Sequence, residues 1–169
     1  MGKPKVTIDF EAIRPQLEVA VAEALNATLL LTAVGMRAML SKPGTGKVYR
    51  VAIGKRNGRN LRARGFHRAS APGNPPAVDT ARLRNSWAVS GPVQPGIHSS
   101  ADGFVALRKT GLSIRLNYGS TVDYAEKLEY GSGKVAPRPY VRPVLTKIQS
   151  VAKSVFERVF AAHFPEAPK

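Results

Sequence analysis

Between Glu23 and Asp79 the chain carries no acidic residue, while Arg37, Lys42, Lys47, Arg50, Lys55, Arg56, Arg59, Arg62, Arg64 and Arg68 all fall inside that gap. A charge run is usually a solvated face, but ten cations without a single counter-charge go beyond that. Residues 42–69, rich in Gly, Lys and Arg, are expected to stand apart as a basic arm. The hydrophobic core must then come from the sequence on either side.

That material exists. The chain has 169 residues and is 43% hydrophobic, enough for one domain spanning 1–169 with a real core. A formal charge of +15 implies long-range attraction to polyanions or to acidic protein surfaces. The absence of cysteine excludes disulfides, zinc–thiolate sites and thiol catalysis, and three scattered histidines offer no metal set, so no cofactor is expected. The basic start, Met1-Gly-Lys-Pro-Lys5, is followed by no apolar signal core, and Gly2 lacks the Ser or Thr of a myristoylation motif. Residues 24–36 form an apolar stretch of only 13 uncharged residues. A bilayer needs about 20, so the stretch reads as a buried helix and no membrane partner is expected.

Periodicity predicts an α+β fold. Residues 6–10 alternate and read as a short strand, and Pro15 suits the first position of a helix running to about Leu40. Leu17, Val21, Ala24, Thr28, Leu31 and Gly35, widened by Ala20, Leu25 and Val34, form its expected inward stripe. Within the arm, 48–53 has strand character and Asn57-Gly58 is a hairpin turn signal, so the arm is either extended or a basic β-hairpin. Asp79 or Thr80 can cap a short helix through Asn85. Residues 87–90, 103–107 and 112–118 read as strands of a small antiparallel sheet. Ser120 and Asp123 resemble a capping box for a helix to about Tyr130, with Gly131 as its left-handed terminator. A last helix from about Pro139 turns Tyr140, Val144, Ile148, Val151, Val155 and Val159 inward and leaves Lys147, Lys153 and Arg158 wet, until Pro165 ends it.

Several enzyme-like patterns dissolve on inspection. Gly44-Thr-Gly-Lys47 suggests a phosphate loop, but Ser41 and Val48 stand where that motif requires Gly and Ser or Thr, so it reads as a turn entering a strand. His67, Ser86 and Asp79 lack a nucleophile elbow, and Asp79 is better explained as a helix cap. Glu126 and Glu129, beside Lys127, read as an exposed charged face or a subunit salt bridge rather than paired catalytic carboxylates. His98 and His163 read as ordinary surface residues. The chain is expected not to be an enzyme.

Two segments carry more. Ser70-Ala-Pro-Gly-Asn-Pro-Pro-Ala-Val-Asp-Thr-Ala-Arg-Leu-Arg-Asn-Ser-Trp87 joins a proline-locked loop to a short helix. Tyr124-Ala-Glu-Lys-Leu-Glu-Tyr-Gly131 leads to a second such loop, Ala136-Pro-Arg-Pro-Tyr-Val-Arg-Pro143. Together, in this order, they resemble the tail-completion or neck proteins of long-tailed phages, often described as minor tail components. The resemblance covers roughly the last 100 residues, and the long N-terminal helix followed by Lys42-Pro-Gly-Thr-Gly-Lys-Val-Tyr-Arg50 is also similar to that family. Ala81 stands where many relatives have Gly, and Tyr140 where Phe is usual.

The resemblance implies an α+β subunit of a homo-oligomeric, sixfold ring at the head–tail joint of the virion, built in the host cytoplasm. Its implied partners are the head connector or head-closure proteins and the tail terminator or tail tube proteins. Such a ring needs two different faces per subunit. The prolines limit the ordering cost of association, and arginines and aromatics are frequent interface anchors. Expected contacts with a subunit or neighbouring ring are Pro72, Pro75, Pro76, Arg82, Arg84, Trp87, Glu129, Arg138, Tyr140 and Arg142. For the arm, Lys47, Arg50, Lys55, Arg56, Arg59, Arg62, Arg64 and Arg68 would meet an acidic partner or genomic DNA, or order on assembly. A tail-terminator ring protein and a basic non-specific DNA-binding protein are the alternatives.

Overall fold

A computed structural model describes residues 10–51, 55–56, 59–60, 65–77, 81–89, 96–99, 102–110 and 113–165. The elements run α1 (Phe10–Met39), β1 (Val48–Val51), β2 (Lys55–Arg56), β3 (Arg59–Asn60), β4 (Gly65–Arg68), α2 (Arg82–Ser86), β5 (Gly96–Ser99), β6 (Gly103–Thr110), β7 (Ser113–Ser120), α3 (Ala125–Tyr130) and α4 (Val141–His163). The fold is α+β, with a long first helix, a long last helix and small antiparallel sheets.

α1 and α4 pack antiparallel. Near one end, a Cβ added at Gly35 would lie 2.9 Å from Val144 Cγ1. At the other, Gln16 Nε2 donates to the His163 carbonyl and Glu23 Oε2 sits 2.8 Å from His163 Nε2. The approach is close because α1 offers little bulk there, Ala20 and Ala24 being fully buried. The sheet β5-β6-β7 packs on the same helix: Leu29 joins Val105 and Leu107 in one cluster, flanked by Leu25, Ile114, Leu116 and Tyr118. A second cluster of Met36, Leu40, Leu83, Trp87, Val122, Ala125, Tyr140 and Val144 gathers both long helices, α2 and the α3 region. Trp87 lies at its centre, edge-on to Tyr118 at 5.1 Å and to Tyr140 at 6.1 Å between ring centroids.

Several local expectations are corrected. α1 already includes Phe10, so Pro15 sits inside it rather than at its first position, and the remaining residues of the expected strand at 6–10 lie outside the described residues. The inward stripe is rotated: Leu29, Thr32, Ala33 and Met36 are buried, whereas Leu31 is 43% and Val34 67% exposed. A helix apolar on nearly every side gives periodicity little to choose from. α1 is also apolar over a longer span than the uncharged run suggested, because an 18-residue window within Glu11–Met39 reaches a mean hydropathy of 1.7, a value compatible with a membrane span. Its inner face is nonetheless committed to α4 and the sheet.

Trp87–Val89 is not a strand; Trp87 closes α2, and the third strand is β5, which the sequence reading missed. The Asp79 or Thr80 cap falls outside the described residues, and Ala81 fills the N-cap of α2 in a left-handed conformation, φ 61° and ψ 0°. The Ser120–Asp123 capping box does not form: α3 begins at Ala125 with Tyr124 as N-cap, while Ser120 stays in β7. Gly131 has positive φ (83°) but ψ 172°, so it departs in an extended direction. In α4, Tyr140 and Val144 are buried as expected, but Val151 is 38% exposed because α4 faces only α1 at that level.

Candidate functional site

The described residues of the arm form two short antiparallel strand pairs. β1 pairs antiparallel with β4, and β2 with β3, the register setting Arg56 opposite Arg59 across the Asn57-Gly58 pair. Those two turn residues, and Arg62 and Arg64, lie outside the described residues. The arm's root is clasped by the Gly44-Thr-Gly-Lys47 tetrad. Gly46 N donates to the Ala69 carbonyl at 2.7 Å, Ala69 N to the Lys47 carbonyl at 3.0 Å, and Thr45 Oγ1 accepts from Asn74 Nδ2 at 2.9 Å. The backbones run so close that a Cβ at Gly44 would fall 1.8 Å from the Arg68 carbonyl oxygen. The tetrad therefore serves as a joint.

Strand pairing puts Val48, Arg50, Phe66 and Arg68 on one face of the β1–β4 pair and Tyr49 and His67 on the other. Lys47 Nζ lies 5.6 Å from the Tyr49 ring centroid. Phe66 is 72% exposed between Arg50 and Arg68, both exposed. Arg59 is also exposed, and Lys55 and Arg56 lie in β2. An exposed aromatic framed by arginines suits a contact surface, which a tally of the arm's charges did not single out.

The two proline-rich segments, about 60 residues apart, come together. Gly73 N donates to the Pro137 carbonyl at 2.9 Å, and Arg138 N to the Leu128 carbonyl at 2.7 Å. Ser70 Oγ donates to the Pro75 carbonyl, so Pro75 and the buried Pro76 shape the loop while Pro72 stays exposed. Between the arm root, this loop, α2 and α3 lies a cavity of about 370 Å³ lined by Arg82, Arg84, Arg138, Leu83 and Leu128 among others.

Trp87, Tyr140 and Glu129, among the expected contact residues, are committed within the chain's own fold. Trp87 and Tyr140, 6% and 1% exposed, are core. Burial, with the nearby Glu129 charge, pushes the Tyr140 hydroxyl up to about 12. Glu129, 2% exposed, caps α4: its Oε2 accepts from Tyr140 N at 2.7 Å and Val141 N at 2.9 Å, and its Oε1 from Arg142 N at 3.1 Å. Burial pushes the Glu129 carboxyl up, but these N–H donors and the Arg142 side chain outweigh it and hold the carboxyl below the usual glutamate value. Four helical N–H groups lack intrahelical partners at any α-helix start, so a buried carboxylate there is worth its desolvation.

The four arginines differ. Arg142 Nε reaches Glu129 Oε1 at 3.2 Å and its guanidinium lies 5.5 Å from the Tyr130 ring centroid. Arg82 donates through Nε and Nη2 to Asp102 Oδ1 at 2.9 and 2.6 Å, tying α2 to the start of β6 and holding the Asp102 carboxyl below its usual range. Arg84 and Arg138 form no ion pair among the described residues, and the Nε of each is shut from solvent without a hydrogen-bond partner. That contrast was invisible in sequence.

Of the residues in the enzyme-like groupings, Asp79 lies outside the described residues, and Ser86 and Glu129 are engaged elsewhere. Ser86 Oγ is buried, donating to the Leu83 carbonyl at 2.7 Å and lying 2.7 Å from Ser120 Oγ. Glu126 is exposed while Glu129 is buried, so they do not share a site. Among the described residues no cluster of three metal-ligating side chains occurs. No family model, curated protein or solved structure matches this chain. Function is therefore argued from its own residues.

Proposed function

We propose that this chain is a non-enzymatic structural subunit of the head–tail joint of a long-tailed phage, a tail-completion protein that works as a homo-oligomeric ring, sixfold by analogy with the family it resembles. The observation that carries the reading beyond motif resemblance is the outer face of α1. Leu30, Leu31 and Val34, 39%, 43% and 67% exposed, lie within little more than one turn of each other on the side away from α4 and the sheet. A ring buries such a patch against the different face of the next copy. The basic arm, standing on its clasped root, then reaches the connector, head-closure, terminator or tube proteins next in the stack. The arm's charge suits an acidic protein surface.

The test is a cryo-electron reconstruction of the joint in particles encoded around this gene, together with native mass spectrometry of the purified protein and of a Leu31→Glu/Val34→Glu variant. A ring of this fold at the joint, and loss of oligomers in the variant, support the reading. Absence from the joint and a monomer in both samples overturn it.

One observation favours a second reading, a non-specific DNA-binding protein. A two-stranded β-ribbon has the width to enter a major groove, and Lys55, Arg56 and Arg59 lie on the paired strands β2 and β3. DNA affinity of the isolated subunit that falls steeply between low and physiological salt would support it. Replacing Arg56, Arg59, Arg62 and Arg64 by Ala separates the uses of the arm: particles that join but retain DNA poorly point to DNA, and failed joining points to a protein partner.

A further inference from the structure

We infer that the cavity between the arm root, the proline-rich loop, α2 and α3 is a binding site for an acidic side chain presented by a partner polypeptide, with Arg84 and Arg138 as its receptors. Both arginines line the cavity. Both have an Nε shut from solvent with no hydrogen-bond partner, and neither joins an ion pair among the described residues. Their neighbours Arg82 and Arg142 show what this chain does with a settled arginine: each has its carboxylate, Asp102 or Glu129. With Nε already closed off from solvent, an incoming carboxylate would meet each guanidinium at its Nη ends, where the planar group presents paired N–H donors.

The walls choose the kind of anion. Leu40, Pro76, Ala77, Leu83 and Leu128 make much of the lining apolar. A duplex phosphate, hydrated and fixed on a wide backbone, gains nothing from such walls. A Glu or Asp flanked by an apolar residue places its carboxylate on the arginines and its neighbour against the leucines, in a space of the size that ordinary ligand pockets have, about 370 Å³. Gly73 N to the Pro137 carbonyl holds the two proline-rich segments that shape the site, so little is left to order on binding. The inference is independent of the ring: any partner with an exposed acidic–apolar segment would serve. Asp79, the one acid between Ala77 and Ala81, lies outside the described residues, so the test includes a variant that removes its charge.

The test uses the full ¹⁵N-labelled chain and follows the two arginine Nε–H resonances, assigned with Arg84→Lys and Arg138→Lys. Acetyl-Leu-Glu-Leu-amide, its Gln counterpart and inorganic phosphate are titrated at constant ionic strength. The expected result is a joint, saturable shift of both resonances with the Glu peptide, binding at least about tenfold weaker for the Gln peptide, and a loss of about tenfold or more in each Lys variant. If a Lys variant does not fold, the Glu-against-Gln comparison on the unmodified chain decides alone. Saturation by phosphate without a response to the peptide overturns the assignment, as does no shift at all. Peptide binding that appears only in an Asp79→Asn variant also overturns it, because the site is then filled by the chain itself.

Discussion

Removing the Glu129 carboxylate should destabilise the fold by about 3 kcal/mol, from the following arithmetic. Three backbone N–H groups, of Tyr140, Val141 and Arg142, point at its two oxygens within 2.7–3.1 Å. A hydrogen bond to a charged group contributes about 1.5–3 kcal/mol, and losing a side-chain N-cap alone typically costs about 1–2 kcal/mol. Against the sum stand the recovered desolvation of the carboxylate and water that can reach Val141 and Arg142, which are not fully buried. Glu129→Ala should therefore lower Tm by about 6–12 °C, at about 2–4 °C per kcal/mol for a chain of this length. Glu129→Gln keeps one acceptor oxygen but turns an NH2 toward donors, and should fall between the two. The pH dependence gives a second check. Because the folded carboxyl titrates below its unfolded value of about 4.3, its contribution is complete above that pH and disappears as pH falls through the folded value. The stability gap between the natural chain and Glu129→Gln, followed by urea unfolding, should thus be constant from pH 7 to about 5 and narrow below about pH 4. Variants within about 0.5 kcal/mol of the natural chain, or a gap that does not narrow in acid, would refute the capping role.

Ala81→Gly should raise stability by about 1 kcal/mol in thermal unfolding, since a φ of 61° is strained for Ala and free for Gly. Gly103→Ala should cost about 3 kcal/mol or more in urea, because its Cβ would stand 2.0 Å from the Ser86 carbonyl oxygen, where backbone meets backbone. Gly44→Ala should act locally: hydrogen exchange at Gly46 and Ala69 should speed up while the global midpoint moves less, the clash with the Arg68 carbonyl opening the arm root. Phe66→Ser should change Tm by less than about 1 °C, as the ring is 72% exposed, yet reduce incorporation into particles in a complementation assay.

Much of the architecture was legible in the sequence because it rests on local rules. The long first and last helices, the paired strands β6 and β7, and the pairing of β2 with β3 follow from periodicity and turn chemistry, which neighbouring residues settle among themselves. The two proline-rich segments were visible as the informative parts, but their joining through Gly73 and Pro137 was not. The failures share a cause. Val34 and Leu31 fitted an inward stripe and lie outside, since α1 is apolar all round and only the placement of α4 and the sheet selects its buried face. Glu129 looked like a surface charge on an exposed helix, and became a buried cap once the chain turned at Gly131 and brought the start of α4 over it. Trp87 and Tyr140 have the composition of interface anchors and the position of core, a distinction that residue type cannot make. By itself the sequence determined the element types, the segregation of the basic arm and the absence of cysteine chemistry, because charge, spacing and residue identity act at short range. Only the tertiary structure decided which of these arginines are paired, because an ion pair depends on where a distant carboxylate comes to rest: Asp102 and Glu129 reach Arg82 and Arg142, and no described carboxylate pairs with Arg84 or Arg138.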